Sequence, residues 1–505
     1  MASDSTASGD APAAYDELVE TYRRVHALQD AQHVLSWDQQ VTMPEGGTPA
    51  RSRQLSALSA TAHEHLTDDR VGDLLDDLDG EVTGARAATV REIRRQYERA
   101  ARVPTDLVEE ISEASSEALP VWEEARAEDD FDSFAPTLER LLDLKREYAA
   151  HIDPDAEPYE VLFHDYEPYL DLATAERILD RLREELVDLI DAVGDSDVDL
   201  AVDAFEGTFE PDVQEDLSRD ALDLLGYDWS HGRLDTSTHP FTTGNQFDAR
   251  ITTRFDEHDP LDALASTVHE FGHATYTLGL PRDDYGTPLG EDRGLTVHES
   301  QSRLWENHVA RSRAWWGLFL SRVQSRFPSV SGVAPEQAYE AANQVYDDNL
   351  IRVEADELTY HMHIVLRFEI ERDLVAGDLE VAEVPQVWND RMESYLGVRP
   401  DTDAEGCLQD IHWSHGNFGY FPTYTLGSVL AAQLFAAASD DVGDLDDQIR
   451  AGEFDALHDW LTEHVHRHGQ RYTTDDLIER ATGDPLTADP FLDYVSSKYG
   501  DLYDL

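Results

Sequence analysis

Apolar side chains return at three- and four-residue steps along most of this chain, a spacing that an α-helix gathers onto one face and a strand would scatter over two. After Thr174, the residues Ile178, Leu179, Leu182, Leu186, Leu189 and Ile190 form such a stripe, with Arg and Glu between them. Similar stripes run near residues 15–30, 86–102, 133–149, 296–325, 354–375 and 472–482. The pattern predicts a mainly α fold. One stretch departs from it: in FDARITTRF, Phe247 to Phe255, the β-branched Ile251, Thr252 and Thr253 cluster in rough alternation, which predicts a strand.

A chain of 505 residues would ordinarily fill about three domains, yet no Pro/Gly/Ser-rich linker or composition shift divides it. The candidate loops at Gly194–Asp203, Pro328–Pro335 and Ser439–Asp447 are short, and no internal repeat is evident. A single body, 1–505, is predicted.

Charge narrows the function. With 106 Asp+Glu against 39 Lys+Arg, the net charge is −67, which repels nucleic-acid phosphates and acidic lipid headgroups. The predicted partners therefore include no nucleic acid and no membrane. Disorder is excluded by 41% hydrophobic residues. Only Lys145 and Lys498 are lysines. So many carboxylates strain a compact state by self-repulsion, and the strain fades in molar salt, where the screening length falls to roughly 3 Å. This predicts a halophilic source. The lone Cys407 excludes an intrachain disulfide and a Cys-based zinc cage. The first residues lack the cationic and apolar regions of a secretion signal, and the most apolar stretch, Leu426 to Ala438, is too short to span a bilayer. A cytoplasmic protein is expected.

The most informative helix is predicted from Leu261 to about Leu278. Asp259 suits the N-cap, Pro260 the first position, and Gly279 with Pro281 the stop. Its stripe is Leu261, Leu264, Val268 and Phe271, and within it lies HEFGH, 269–273. Histidines four apart share a helix face with Cβ atoms about 5–6 Å apart, so His269 and His273 can bind one ion. Glu270, about 100° around the axis, can reach a water on that ion without being a ligand. This is the zinc-peptidase arrangement, with the carboxylate taking the proton as the water attacks a carbonyl.

A catalytic zinc needs a third protein ligand and an open position. Glu299, in HESQS at 298–302, would complete a His2Glu set from a second helix, but it could equally be a capping-box partner of Thr296. His298 competes as ligand, with its side chain pointing elsewhere on the helix. Such a set also accepts cobalt or manganese.

Six blocks in order, HPF at 239–241, DARIT at 248–252, HEFGH, HESQ, IRVEAD at 351–356 and GCLQDIHW at 406–413, with LSWDQQVTMPEGG at 35–47, make the chain resemble the Taq-type thermostable metallocarboxypeptidases. The resemblance implies zinc held by His269, His273 and Glu299, with Glu270 as general base. It also implies broad-specificity removal of C-terminal amino acids from peptides with a free C-terminus, and a homodimer. The implied fold is an elongated helical body with a deep substrate cleft and a small antiparallel sheet at its edge. Residues of about 12–200 would form cleft wall or lid, about 235–425 the catalytic core, and about 426–505 C-terminal helices. An oligopeptidase or endopeptidase with the same metal chemistry is the alternative, and a non-catalytic peptide-binding scaffold a remote one.

A carboxypeptidase must fix its substrate's terminal carboxylate, and an arginine fork does so bidentately. Arg352 is the first candidate and Arg250 the second; the competing reading of Arg352 is an ion pair with Asp356. His412, Tyr420 and Tyr424 are candidate donors to the developing oxyanion. Gln409 and Asp410 are candidate substrate contacts or partners of a ligand histidine, and His239 a cleft-wall residue. Four residues past Glu299, where many such sites carry an orienting carboxylate, stands Arg303. The acceptor must come from elsewhere, with Asp410 a guess.

Overall fold

A computed structural model describes residues 12–346 and 348–505; the stretch 1–11, where the absence of a secretion signal was read, lies outside the described residues. The N-terminal helices are α1 (Ala13–Val41), α2 (Thr48–Leu66), α3 (Asp69–Asp77), α4 (Ala85–Arg102), α5 (Thr105–Glu128), α6 (Phe131–Ile152), α7 (Pro158–Tyr166), α8 (Leu172–Gly194) and α9 (Pro211–Leu225). Three strands follow: β1 (Gly232–Thr236), β2 (Phe241–Asn245) and β3 (Asp248–Thr253). Then come α10 (Pro260–Gly279), α11 (Leu295–Arg303), a π-helical turn (Leu304–Ala310), α12 (Arg313–Arg326), α13 (Pro335–Ala342), α14 (Tyr360–Ala376) and α15 (Val384–Leu396). The chain ends in α16 (Pro422–Val442), α17 (Leu445–Ala451), α18 (Asp455–His464), α19 (Thr474–Thr482) and α20 (Asp489–Tyr503).

The stripes explain these helices. In α8 the predicted residues Ile178, Leu179, Leu182, Leu186 and Ile190 are buried, and Asp171 caps the start by accepting from the Ala173 N–H. One large core joins residues from Val103 to Tyr503, and a smaller cluster of Leu18, Tyr22, Leu74 and Ile93 ties α1 and α3 to α4. Two stripes are interrupted. The one at 296–325 breaks at the π turn, and the one at 354–375 starts its helix only at Tyr360, because Asp356 Oδ1 takes the N–H groups of Leu358 and Thr359. The loop expected at Ser439–Asp447 is largely helical, with only residues 443–444 between α16 and α17. Leu426–Ala438 lies inside α16, and no helix among the described residues is long and apolar enough to cross a membrane.

The predicted strand is β3, at the centre of a sheet ordered β1-β3-β2. The sheet is mixed, not antiparallel as expected: β2 pairs antiparallel to β3 and β1 parallel to it. The cause is topological. The chain reverses from β1 into β2 and again across Gln246–Phe247 into β3, so β3 returns in β1's direction and inserts between them. Ala249 and Ile251 of β3 are fully buried, and the Thr253 hydroxyl donates to the Ala263 carbonyl of α10 (3.4 Å).

Two glycines bring the site helices together. A Cβ on Gly272 of α10 would sit 2.5 Å from the Gln301 carbonyl oxygen and Ser302 Cα of α11, and one on Gly427 of α16 would sit 2.5 Å from Glu299 Cβ. α11 is therefore clasped at backbone distance from both sides.

Candidate metal centre

α10 begins as its sequence predicts, with Asp259 Oδ1 accepting from the Asp262 N–H (3.0 Å) and Pro260 in the first turn. Seven residues on from Asp262 stands His269, with His273 one turn later and their rings 4.9 Å apart. α11 delivers Glu299 between them, its Oε2 lying 3.7 Å from His269 Nε2 and 3.5 Å from His273 Nε2. Candidate ligand atoms of all three residues fall within 4.8 Å of one another. Burial opposes charge on Glu299, but Arg303 and the two histidines outweigh it and hold its carboxyl well below the usual range. Burial holds His273 down, toward the neutral form that ligates metals. A buried carboxylate and two imidazoles on one point is the donor chemistry of zinc. Glu270, next to His269, is also buried; Thr242 of β2 donates to its backbone carbonyl (2.8 Å), and its Oε2 has no partner among the described residues.

The capping reading of Glu299 fails, because α11 starts from Gly294 and the Thr296 N–H donates to Glu167 Oε2 (2.7 Å). His298 turns aside and stacks on His273 with ring centroids 4.3 Å apart. The group orienting a histidine is Glu306, not Asp410: its Oε2 lies 2.8 Å from His269 Nδ1, which turns Nε2 toward Glu299. Glu306 sits in the π turn, where the Arg311 N–H bonds the Glu306 carbonyl five residues back (3.0 Å). Arg303 joins the layers, donating from Nε to Glu299 Oε1 (2.7 Å) and from Nη1 to Glu306 Oε2 (3.2 Å). Sequence reasoning stopped at Arg303; the signal it passed over was a second glutamate seven residues past the first.

A profile of the Carboxypeptidase Taq (M32) metallopeptidase family matches residues 17–499. The chain belongs to this family. It is 38% identical to "Thermostable carboxypeptidase 1" of Thermus thermophilus, over 97% of this chain and 99% of that one. Its fold superposes on the M32 carboxypeptidase of Deinococcus radiodurans with a TM-score of 0.94 at 38% identity, covering 98% and 100% of the two chains. The carboxypeptidase of Pyrococcus furiosus gives 0.93 at 36%, covering 97% and 99%. The protein is a metallocarboxypeptidase.

In this M32 carboxypeptidase a second charge cluster lies one ring from the first. Arg303 stacks over Tyr360 (5.0 Å to the centroid), and Arg352 Nη1 donates to the Tyr360 hydroxyl (3.1 Å). Arg352 is buried and pairs with Asp410, through Nε (3.1 Å) and Nη2 (2.7 Å) to Oδ1. Asp356, the alternative partner, is occupied by Leu358 and Thr359. Arg367, unforeseen in sequence, donates to Asp410 Oδ2 (2.6 Å), so one carboxylate serves two guanidiniums. Gln409 fixes this corner, accepting from the Arg352 N–H (2.8 Å) and donating to the Glu405 carbonyl (2.7 Å). The Tyr424 ring lies 5.4 Å from the Arg352 guanidinium and 5.2 Å from Tyr420, and His412 is 5.5 Å from Tyr420. Burial pulls His412 down to about 4, which keeps it neutral near pH 7.

Two candidates stand apart from this cluster. Arg250 on β3 pairs with Asp248 (2.6 Å) and stacks over Trp37 of α1 (4.3 Å). His239 is exposed in the turn between β1 and β2.

Proposed function

We propose that this enzyme removes C-terminal amino acids, with broad side-chain tolerance, at a zinc ion held by His269, His273 and Glu299. The observation that carries the reading is the convergence of those three donors within 4.8 Å, with Glu270 adjacent and Arg352 just beyond Tyr360. Zinc in such a set supplies Lewis acidity and makes a water nucleophilic near neutral pH. Glu270 accepts the proton of the attacking water and returns it to the departing amine; its burial raises its carboxyl and so strengthens it as a base. The unbalanced positive charge of Arg352 and Arg367 on Asp410 receives the substrate's free carboxylate, and Tyr420, Tyr424 and His412 are the candidate donors to the oxyanion.

Glu270→Gln tests the chemistry: turnover should fall by about 10²–10⁴-fold while bound zinc, measured by mass spectrometry, stays at the wild-type level. Retained turnover would remove Glu270 as base. Peptides amidated at the C-terminus should resist cleavage, and their hydrolysis would remove the role given to Arg352. Metal analysis distinguishes zinc from cobalt or manganese.

The −67 charge and two lysines support a high-salt cytoplasm as the site of action, and the buried free Cys407 fits a reducing compartment. Folding and turnover should rise with KCl; full activity without added salt would end that reading. The family resemblance supports a homodimer, which light scattering reads directly.

A further inference from the structure

α4, the end of α6, α7 and the turn after α7 line an open cavity of about 410 Å³, within the range of small-molecule sites. None of the residues proposed above for metal or peptide lines it. Five arginines of α4 do: Arg91, Arg94, Arg95, Arg99 and Arg102. Like charges four apart on a helix repel, and Arg91, Arg95 and Arg99 are spaced that way. In a chain with 106 acidic residues, carboxylates to neutralise them are abundant, yet here they are shared. Glu92 serves both Arg91 (2.6 Å) and Arg293 (3.0 Å), and Glu98 serves Arg102 (2.9 Å) and, with Asp76, Arg94 (4.0 and 3.6 Å). Asp165 takes Arg99. Asp153 and Glu160 also reach the lining, with no ion pair among the described residues; Asp153 Oδ1 accepts from the Asp155 N–H (3.1 Å).

Arg95 has no carboxylate within 4.0 Å among the described residues; its Nη2 donates to the His164 carbonyl. The wall beside it is strained. Tyr169 holds φ at 67°, a left-handed conformation that bulky residues rarely adopt and that collects at ligand clamps. That backbone sets its ring 5.3 Å from the Arg91 guanidinium, 6.0 Å from Arg95 and 5.2 Å from Arg293.

We propose that this cavity binds a compact small molecule carrying two or more negative charges, with Arg95 as its central contact. An arginine fork fits phosphate and carboxylate oxygens alike, so polyphosphates and polycarboxylates share the required chemistry. Long-range attraction is absent in so acidic a body, and capture rests on short bidentate contacts that salt screens least.

Calorimetric titration of the metal-loaded protein with pyrophosphate and, separately, citrate tests the site. One saturable site is expected, weakened about tenfold or more by Arg95→Gln, with peptide hydrolysis by that variant at the wild-type rate. Tighter pyrophosphate assigns a phosphate ligand, and tighter citrate a polycarboxylate. If Arg95→Gln does not fold, Arg95→Lys, which keeps the charge and loses the fork, should show the weakening. Absence of saturable binding to the wild type, or equal affinity in wild type and the folded variant, as binding at the metal would give, overturns the proposal.

Discussion

α10 and the α11–π segment each bring candidate ligands to one point, but they do so by different means. α10 is regular, and its period alone puts His269 and His273 on one face. The second segment changes period between its two glutamates: Glu299 lies within the α-helical stretch Leu295–Arg303 and Glu306 in the π turn that follows it. The regular helix provides ligand spacing, and the irregular one provides reach, since the widened turn lets Glu306 contact His269 on a neighbouring helix (2.8 Å). π turns are rare and recur at functional sites because they re-aim side chains in this way.

The largest break in this comparison removes a donor from either side. His273→Ala on α10 and Glu299→Ala on α11 should each abolish stoichiometric metal and reduce hydrolysis to background, as read by metal analysis and peptide assay. Near-normal metal content in Glu299→Ala would show that the α11 segment supplies no ligand.

The same contrast explains what could be read in the sequence. Asp259, Pro260 and HEFGH act through local geometry, and the structure keeps α10 within one or two residues of its expected bounds. β1 and β2 were missed because GRLDT and FTTGN are short and polar, and only pairing with β3 makes them strands. Glu306 was missed because α spacing places i+7 two turns away along the axis, and nothing local announces a π turn. Asp410 was guessed for the histidine because its true partners, Arg352 and Arg367, come from separate segments that meet only in the fold.

Next in size is Glu306→Gln. It keeps the shape and removes the charge that fixes the His269 ring, so metal affinity should fall about 10–100-fold, measured by competition with a chelator. An unchanged dissociation constant would demote Glu306 to a packing partner of Arg303 and Arg311.

Smaller effects follow at the clasp. Gly272→Ala and Gly427→Ala each force a methyl group against α11, costing about 1–3 kcal/mol by overpacking, offset by about 1 kcal/mol of better helix propensity. Urea unfolding should place both variants below the wild type. Gly427→Ala should also weaken metal binding, because its methyl group meets Glu299 itself. Equal metal affinity in the two variants would mean that Glu299 tolerates the shift.

The smallest effect tests the regular helix by itself. Asp259→Ala removes the side-chain acceptor for the Asp262 N–H, three turns before His273 and far from any donor atom. An N-cap of this kind contributes about 1 kcal/mol. The variant should lose that much stability while its metal content and kcat stay unchanged, since the packing of α10 against β3 and α11 holds the histidines in place. A fall in kcat at unchanged metal content would show that fraying of the first turn reaches the HEFGH segment, and that the regularity of α10 depends on its cap as well as on its neighbours.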